Sequence, residues 1–180
     1  RKPCRTRNNR GARYLWDALC GDSASGSAAL GSGKRKNTCL MLTAPMKDLI
    51  AAFPLGFVAT VTSDGAPAVS PKGTFLVLDD RRIAFSDIRS PGTRRNLMAN
   101  PAVEVNFIDP FKRKAVRVAG MAVLHPKGSD WFTTQHPIWL DVFGGLAKRI
   151  QSFVEIDIHS ASEICTPPYD DGATEAEMIA

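Results

Sequence analysis

At 180 residues and 44% hydrophobic, the chain is long enough to bury one substantial core and too short for two ordinary domains. Its formal net charge of +5 gives no reason to expect nucleic acid, because residues 1–41 hold nine Lys or Arg against two Asp, a net of +7, whereas residues 42–180 hold 14 against 16, a net of −2. No run of about 18 apolar residues occurs, so nothing reads as a membrane-spanning helix.

Residues 1–40 read as a disordered basic leader. They lack a hydrophobic period and are rich in Arg, Ser, Gly and Asn, as in Ser23-Ala-Ser-Gly-Ser-Ala-Ala and Gly31-Ser-Gly-Lys-Arg-Lys. The first Met is Met41. An expression or gene-calling artefact, a targeting segment and a basic arm that touches polyanions stay open as readings of the leader. A secretory signal is disfavoured, since no apolar core of roughly 7–15 residues follows the positive start. One globular domain is expected over residues 41–180. Cys4, Cys20, Cys39 and Cys165 contain no closely spaced pair, which predicts reduced thiols, no metal and a cytoplasmic location. His125, His136 and His159 read as surface or loop residues.

A short helix is expected from Met46 to Phe53. Phe57-Val-Ala-Thr-Val-Thr then turns at Asp64-Gly65 into a strand from Pro67 to Leu78, and a second turn at Asp79-Asp80-Arg81 leads into Arg82-Ile-Ala-Phe-Ser. Ser90 as N-cap, Pro91 as first residue and the stop at Asn100-Pro101 predict a helix from Pro91 to about Ala99. Strands follow at Val103–Ile108 and at about Ala115–Leu124. Between them Lys112-Arg-Lys114 reads as a solvated hairpin tip, with a cofactor or polyanion role as the alternative. A helical or irregular stretch, about residues 128–150, carries Trp131, Trp139 and Phe143, which read as core or as the wall of a pocket. The last strand is Ser152–His159. Six strands, mostly joined by tight turns, predict a mainly β fold: a small closed antiparallel barrel with peripheral helices and no exposed edge.

The arginines around Ser90 carry the chemistry. A helix N-terminus holds about half a positive charge and prefers acids, each worth roughly 0.3–1 kcal/mol. Arg89, Arg94 and Arg95 crowd this one, with Asp87 the sole acid close by. The arrangement makes sense if a phosphate is the missing partner, received by backbone N–H groups, the Ser90 and Thr93 hydroxyls and guanidinium forks. Arginines that simply point into water are the alternative.

From about Met46 to Leu124 the chain resembles the pyridoxamine 5′-phosphate oxidase-like family of FMN-binding split barrels, especially its short bacterial members. The resemblance rests on Phe57-Val-Ala-Thr-Val…Asp64-Gly-x-Pro-x-Val-Ser-Pro-Lys-Gly, on Phe85-Ser-Asp-x-Arg-Ser-Pro-Gly-Thr-x-x-Asn-Leu and on Asn100-Pro-x-Val. Arg117-x-x-Gly120 and the tail Cys165-Thr-Pro-Pro-Tyr-Asp-Asp-Gly add to it. It implies a six-stranded antiparallel split β-barrel that binds FMN. By the same resemblance Ser70, Lys72 and Gly73 run along the isoalloxazine and ribityl chain. Lys72 would favour the anionic reduced flavin by about 1–4 kcal/mol at about 4 Å. Phe85, Ser86 and Asp87 would hold the ribityl-phosphate region, and Arg89, Ser90, Thr93 and Arg94 the phosphate. Arg117 matches a strand that reaches the flavin of the partner subunit, which implies a homodimer with flavin at the interface.

The oxidases proper carry a Ser-Arg-Lys phosphate signature and an Arg- and His-bearing C-terminal extension. Here Gly92-Thr93 replace the Arg-Lys pair, and the tail is acidic through Glu175-Ala-Glu-Met. The resemblance thus points to an FMN-binding oxidoreductase that passes hydride or electrons to a small organic acceptor. The alternatives are a reductase using the deazaflavin F420 on the same fold, a non-enzymatic flavin- or haem-binding protein, and a structural dimer with no cofactor.

Overall fold

The computed structural model describes residues 38–179. The readings made for residues 1–37, Cys4 and Cys20 among them, lie outside the described residues.

Strand β1 is Thr38–Cys39 and helix α1 is Ala44–Ala52. The Thr43 hydroxyl caps α1 by accepting the Met46 N–H at 3.5 Å, and Met46 and Ile50, four residues apart, form its buried face. β2 (Gly56–Val61) and β3 (Pro67–Lys72) form the expected hairpin, with Gly65 at φ 87°, in the left-handed region that glycine tolerates best. β4 (Phe75–Val77) and β5 (Arg82–Asp87) form a second hairpin, followed by α2 (Pro91–Ala99). β6 (Ala102–Asp109) and β7 (Lys114–Pro126) make a third. α3 (Asp130–Phe143) and a 3-10 turn (Gly144–Arg149) fill the stretch before β8 (Ser152–Cys165), and α4 (Glu175–Ile179) closes the described chain.

All strand pairs are antiparallel. Seven strands follow one another in the order β3-β2-β6-β7-β8-β5-β4, and β1 pairs with β8 off that path. Seven rather than six appear because the run Pro67–Leu78 breaks at Gly73-Thr74. β8 continues six residues past its expected end, to Cys165, and receives Thr38 and Cys39 opposite Ser162 and Ala161.

The two path ends, β3 and β4, are joined by only Gly73 and Thr74. Three peptide units reach at most about 11 Å, so the sheet has to curl until its first and last strands nearly meet. The expected hydrogen-bonded closure does not occur among the described strands: chain continuity holds the seam, and neither β3 nor β4 has a second described strand along its outer edge.

Inside the curl, Phe75 packs on Phe85 at 5.1 Å and on Phe107 at 4.8 Å between ring centroids, within a cluster that includes Val58, Ile83, Val105 and Ile156. A second cluster lies where α3 covers the sheet, built on Ala84, Phe132, Trp139, Ile150 and Phe153. Trp139 is therefore core, with Trp131 and Phe143 packed partly buried against it. At the bulge between Ala119 and Gly120, a Cβ on Gly120 would lie 2.1 Å from the Asp157 carbonyl oxygen, which explains the glycine.

Two histidines depart from the surface reading. His125 sits in β7 stacked on Trp131 at 4.2 Å, with Nε2 2.8 Å from a Glu155 oxygen, and His136 Nε2 lies 3.0 Å from the Ala147 carbonyl. His159 is exposed, as expected, while Val154, Ile156 and Ile158 face in.

Candidate functional site

Helix α2 begins and ends as its sequence dictates, at Pro91 and Ala99. Its start differs from expectation in one respect that favours a ligand: Ser90 occupies the N-cap position, but its hydroxyl makes no capping bond, and no acid stands in the first turn. The helix end therefore keeps its free N–H groups and its partial positive charge.

A cleft of about 330 Å³ opens against this end, between α2 and the β2–β3 hairpin. Ser70, Arg89, Ser90 and Thr93 line it, four of the residues the resemblance assigns to the flavin. Arg95, Asn96, Thr60 and Thr62 line it too. The buried Thr60 hydroxyl accepts the Asn96 amide at 2.9 Å, which ties the helix to the hairpin floor. Their spacing was the signal: Thr60 and Thr62 share one face of the strand, and Asn96 lies one helical turn after Thr93. Arg94 is exposed and does not line the cleft. Among the described residues none of Arg89, Arg94 and Arg95 has an ion-pair partner.

Asp87 explains how Arg89 and Ser90 are presented. Asp87 is 6% exposed, and its carboxylate accepts the Ser90 N–H at 2.8 Å and the Ser152 hydroxyl at 3.4 Å. It therefore braces the turn into α2 from behind. Phe85 points its ring into the barrel core, and Ser86 is buried, its N–H and hydroxyl both donating to the Thr74 hydroxyl at 3.2 and 2.7 Å.

Lys72, at the end of β3, is 8% exposed. Its ammonium donates to the Ser70 hydroxyl, and among the described residues it has no ion-pair partner. Burial pushes its pKa below the ordinary 10.5, with the Asp87 carboxylate pulling the other way. Ser70 both lines the cleft and meets Lys72, so the buried ammonium, which does not itself line the cleft, stands one hydrogen bond behind its wall. Gly73, next along, is exposed and leaves open space where a side chain would stand.

Arg117 stands apart. It lies on β7 in one cross-strand row with Asn106, Phe57 and Pro71, three strand spacings or about 14 Å from β3. Its guanidinium is exposed and pairs with Glu104 at 3.3 Å.

A larger cavity of about 550 Å³ lies between α1, the β6–β7 tip and the tail. Its cations are already matched: Glu175 bonds Lys112 and Lys114 at 2.7 Å each. The two lysines thus clamp the tail, which corrects the reading of a solvated tip. No cluster of three or more His, Cys, Asp or Glu able to hold a metal occurs among the described residues, and no described helix is long and apolar enough to cross a membrane.

The family model for pyridoxamine 5′-phosphate oxidase matches residues 42–164, from just before α1 to the end of β8. The chain belongs to that family.

Its fold is the split barrel of the pyridoxamine 5′-phosphate oxidase family. HupZ of Group A Streptococcus is similar at 26% identity and a TM-score of 0.59, over 67% of this chain and 92% of that one. An FMN-binding protein of Syntrophomonas wolfei shares the fold at 13% identity and a TM-score of 0.57, over 67% of this chain and 84% of its own. An F420 reductase shares it at 24% identity and a TM-score of 0.52, over 67% and 98%. Among curated proteins none matches.

Proposed function

We propose that the protein is an FMN-binding oxidoreductase that works as a homodimer on a small organic acceptor. The observation that carries this reading is the group of uncompensated cations: two arginines lining the cleft and a buried lysine, all without ion-pair partners among the described residues, beside a helix start with an unused Ser90 hydroxyl. Burial of the Lys72 ammonium and the positive charges beside a helix start are unfavourable in the empty protein, and an anion relieves both. FMN fits this demand, with its phosphate among Arg89, Ser90, Thr93 and Arg95 and its ring along Ser70, Lys72 and Gly73.

When bound, FMN supplies the hydride and electron chemistry. The chain's part is to bind and tune. Arg89 and Arg95 neutralise the phosphate, and Asp87 holds the Ser90 N–H so that the helix end stays in place. The Lys72 ammonium puts positive charge where the reduced ring gathers negative charge. The exposed apolar side chains of Phe57, Val61 and Val69 on β2 and β3 form the proposed dimer face, continued by Arg117, which would reach the partner's flavin.

Titrating the full chain with FMN, and separately with F420, while following flavin fluorescence tests the reading. Saturable FMN binding that falls about tenfold in Arg89→Ala and in Arg95→Ala, and less in Arg94→Ala, is expected. Binding of F420 alone would replace the cofactor, and binding of neither would remove the phosphate reading. Sedimentation of the wild type tests the dimer.

A further inference from the structure

The link Gly73-Thr74 does two jobs that pull against each other. It spans the barrel seam, and it ends the strand that carries Lys72. Lys72 is the last residue of β3 with a ladder partner, Gly56, and Gly73 after it belongs to no strand. A glycine with open space around it contributes no packing of its own. Yet Lys72, the residue just before it, is held buried.

We propose that Trp139 is a positioning residue for Lys72: its indole N–H, donated to the Thr74 carbonyl at 3.0 Å, pins the seam link and so holds the ammonium against the flavin track. The inference rests on the flavin reading given above. Trp139 is fully buried in α3, its ring 4.6 Å from Phe153, so the donor is fixed by packing. From the other side the Thr74 hydroxyl is gripped by Ser86, which also receives its bond at 3.3 Å through the backbone carbonyl. Thr74 is thereby held by β5 and by α3 together. Without the indole bond, the carbonyl loses its donor and only the Ser86 grip restrains the glycine beside Lys72. The helical stretch between β7 and β8 thus reaches the site through one backbone atom, without lining the cleft.

The test uses the full chain. Trp139→Phe keeps an aromatic ring on Phe153 and removes only the donor and some volume. Thr74→Val keeps the carbonyl bond and removes the Ser86 grip, and serves as the second variant should Trp139→Phe fail to fold. Two measurements are read. Amide exchange over residues 72–75 in the flavin-free protein should speed up about tenfold in Trp139→Phe. FMN affinity should fall several-fold, with the reduction potential of bound FMN moving negative while far-ultraviolet circular dichroism stays unchanged. Exchange unchanged in a folded Trp139→Phe overturns the pin; where Trp139→Phe does not fold, a speed-up of about tenfold in Thr74→Val overturns it, because the indole bond is intact there and would have failed to hold the link. Faster exchange with unaltered FMN affinity and potential overturns its link to the site. Faster exchange in Trp139→Phe, together with a wild type that takes no FMN, keeps the pin and removes the flavin reading, so the two failures are distinguishable.

Discussion

The Asp87 carboxylate accepts the Ser90 backbone N–H at 2.8 Å, so an acid that looks like a clash-breaker among arginines is in fact the brace of the turn that presents them. Asp87→Ala leaves the Ser90 N–H and the buried Ser152 hydroxyl without their acceptor and should cost about 1–3 kcal/mol in urea unfolding. Asp87→Asn keeps an acceptor oxygen and removes a negative charge near the cleft. It should cost less stability and bind FMN at least as well as the wild type. Equal losses in both variants would show that the charge, rather than the brace, is what the fold uses.

Lys72 makes a prediction about alkaline pH. Its pKa in the folded protein is depressed below 10.5, so between the two values the unfolded chain binds more protons and stability rises with pH. The burial penalty is fully present below the folded pKa and is relieved as pH climbs toward 10.5. Lys72→Met escapes that penalty. In flavin-free protein the variant should be at least as stable as the wild type at pH 7, and its advantage should shrink toward pH 10.5. An advantage that grows with pH would contradict the assignment.

Glu175 titrates in the opposite sense. The Lys112 and Lys114 ammonium groups hold its carboxyl down from 4.5 to about 2, so its contribution is complete above 4.5 and is lost as pH falls through about 2. Glu175→Gln should speed amide exchange over residues 166–179 at neutral pH and low salt. The difference from wild type should fade near pH 2, and it should weaken with added salt because the clamp is at the surface.

Gly120→Ala should destabilise the barrel by about 1–3 kcal/mol or more, since the new methyl group meets backbone that cannot swing away. The midpoint of thermal unfolding reads this directly. FMN affinity should change little in whatever fraction folds, because Gly120 is not among the cleft residues.

What could be read in the chain divides by distance along it. α2 was legible to the residue because Ser90-Pro91 and Asn100-Pro101 are local start and stop signals. Arg89, Ser90 and Thr93 stood out because cations and hydroxyls crowd a helix start, and Ser70 only through the family resemblance; β3 and α2 bring the four to one cleft. Arg94 and Arg95 are neighbours, both exposed, and only the helix phase, which depends on how α2 packs, tells which of them lines the cleft. The break of Pro67–Leu78 at Gly73-Thr74 had no local mark strong enough to separate a bend from a continuous strand. Its cause is the curl of the whole sheet. The Glu175 clamp and the bond from Trp139 to Thr74 join residues about 60 apart, a range at which no periodicity operates. His125 looked like a segment end because Pro126 follows it, yet β7 continues through both, paired with Phe153 and Ser152.

β8 lies between β7 and β5 in the sheet and is the last of the described strands to be synthesised. Its pairing with β5 joins Asp87 to Ser152, 65 residues apart. Until it emerges from the ribosome, β5 and β7 each present an unpaired inner edge, and the cluster around Phe85 and Val116 stays open. The barrel is therefore a structure of late commitment. A stop codon anywhere before Ser152 should therefore yield an aggregating fragment instead of a shortened domain.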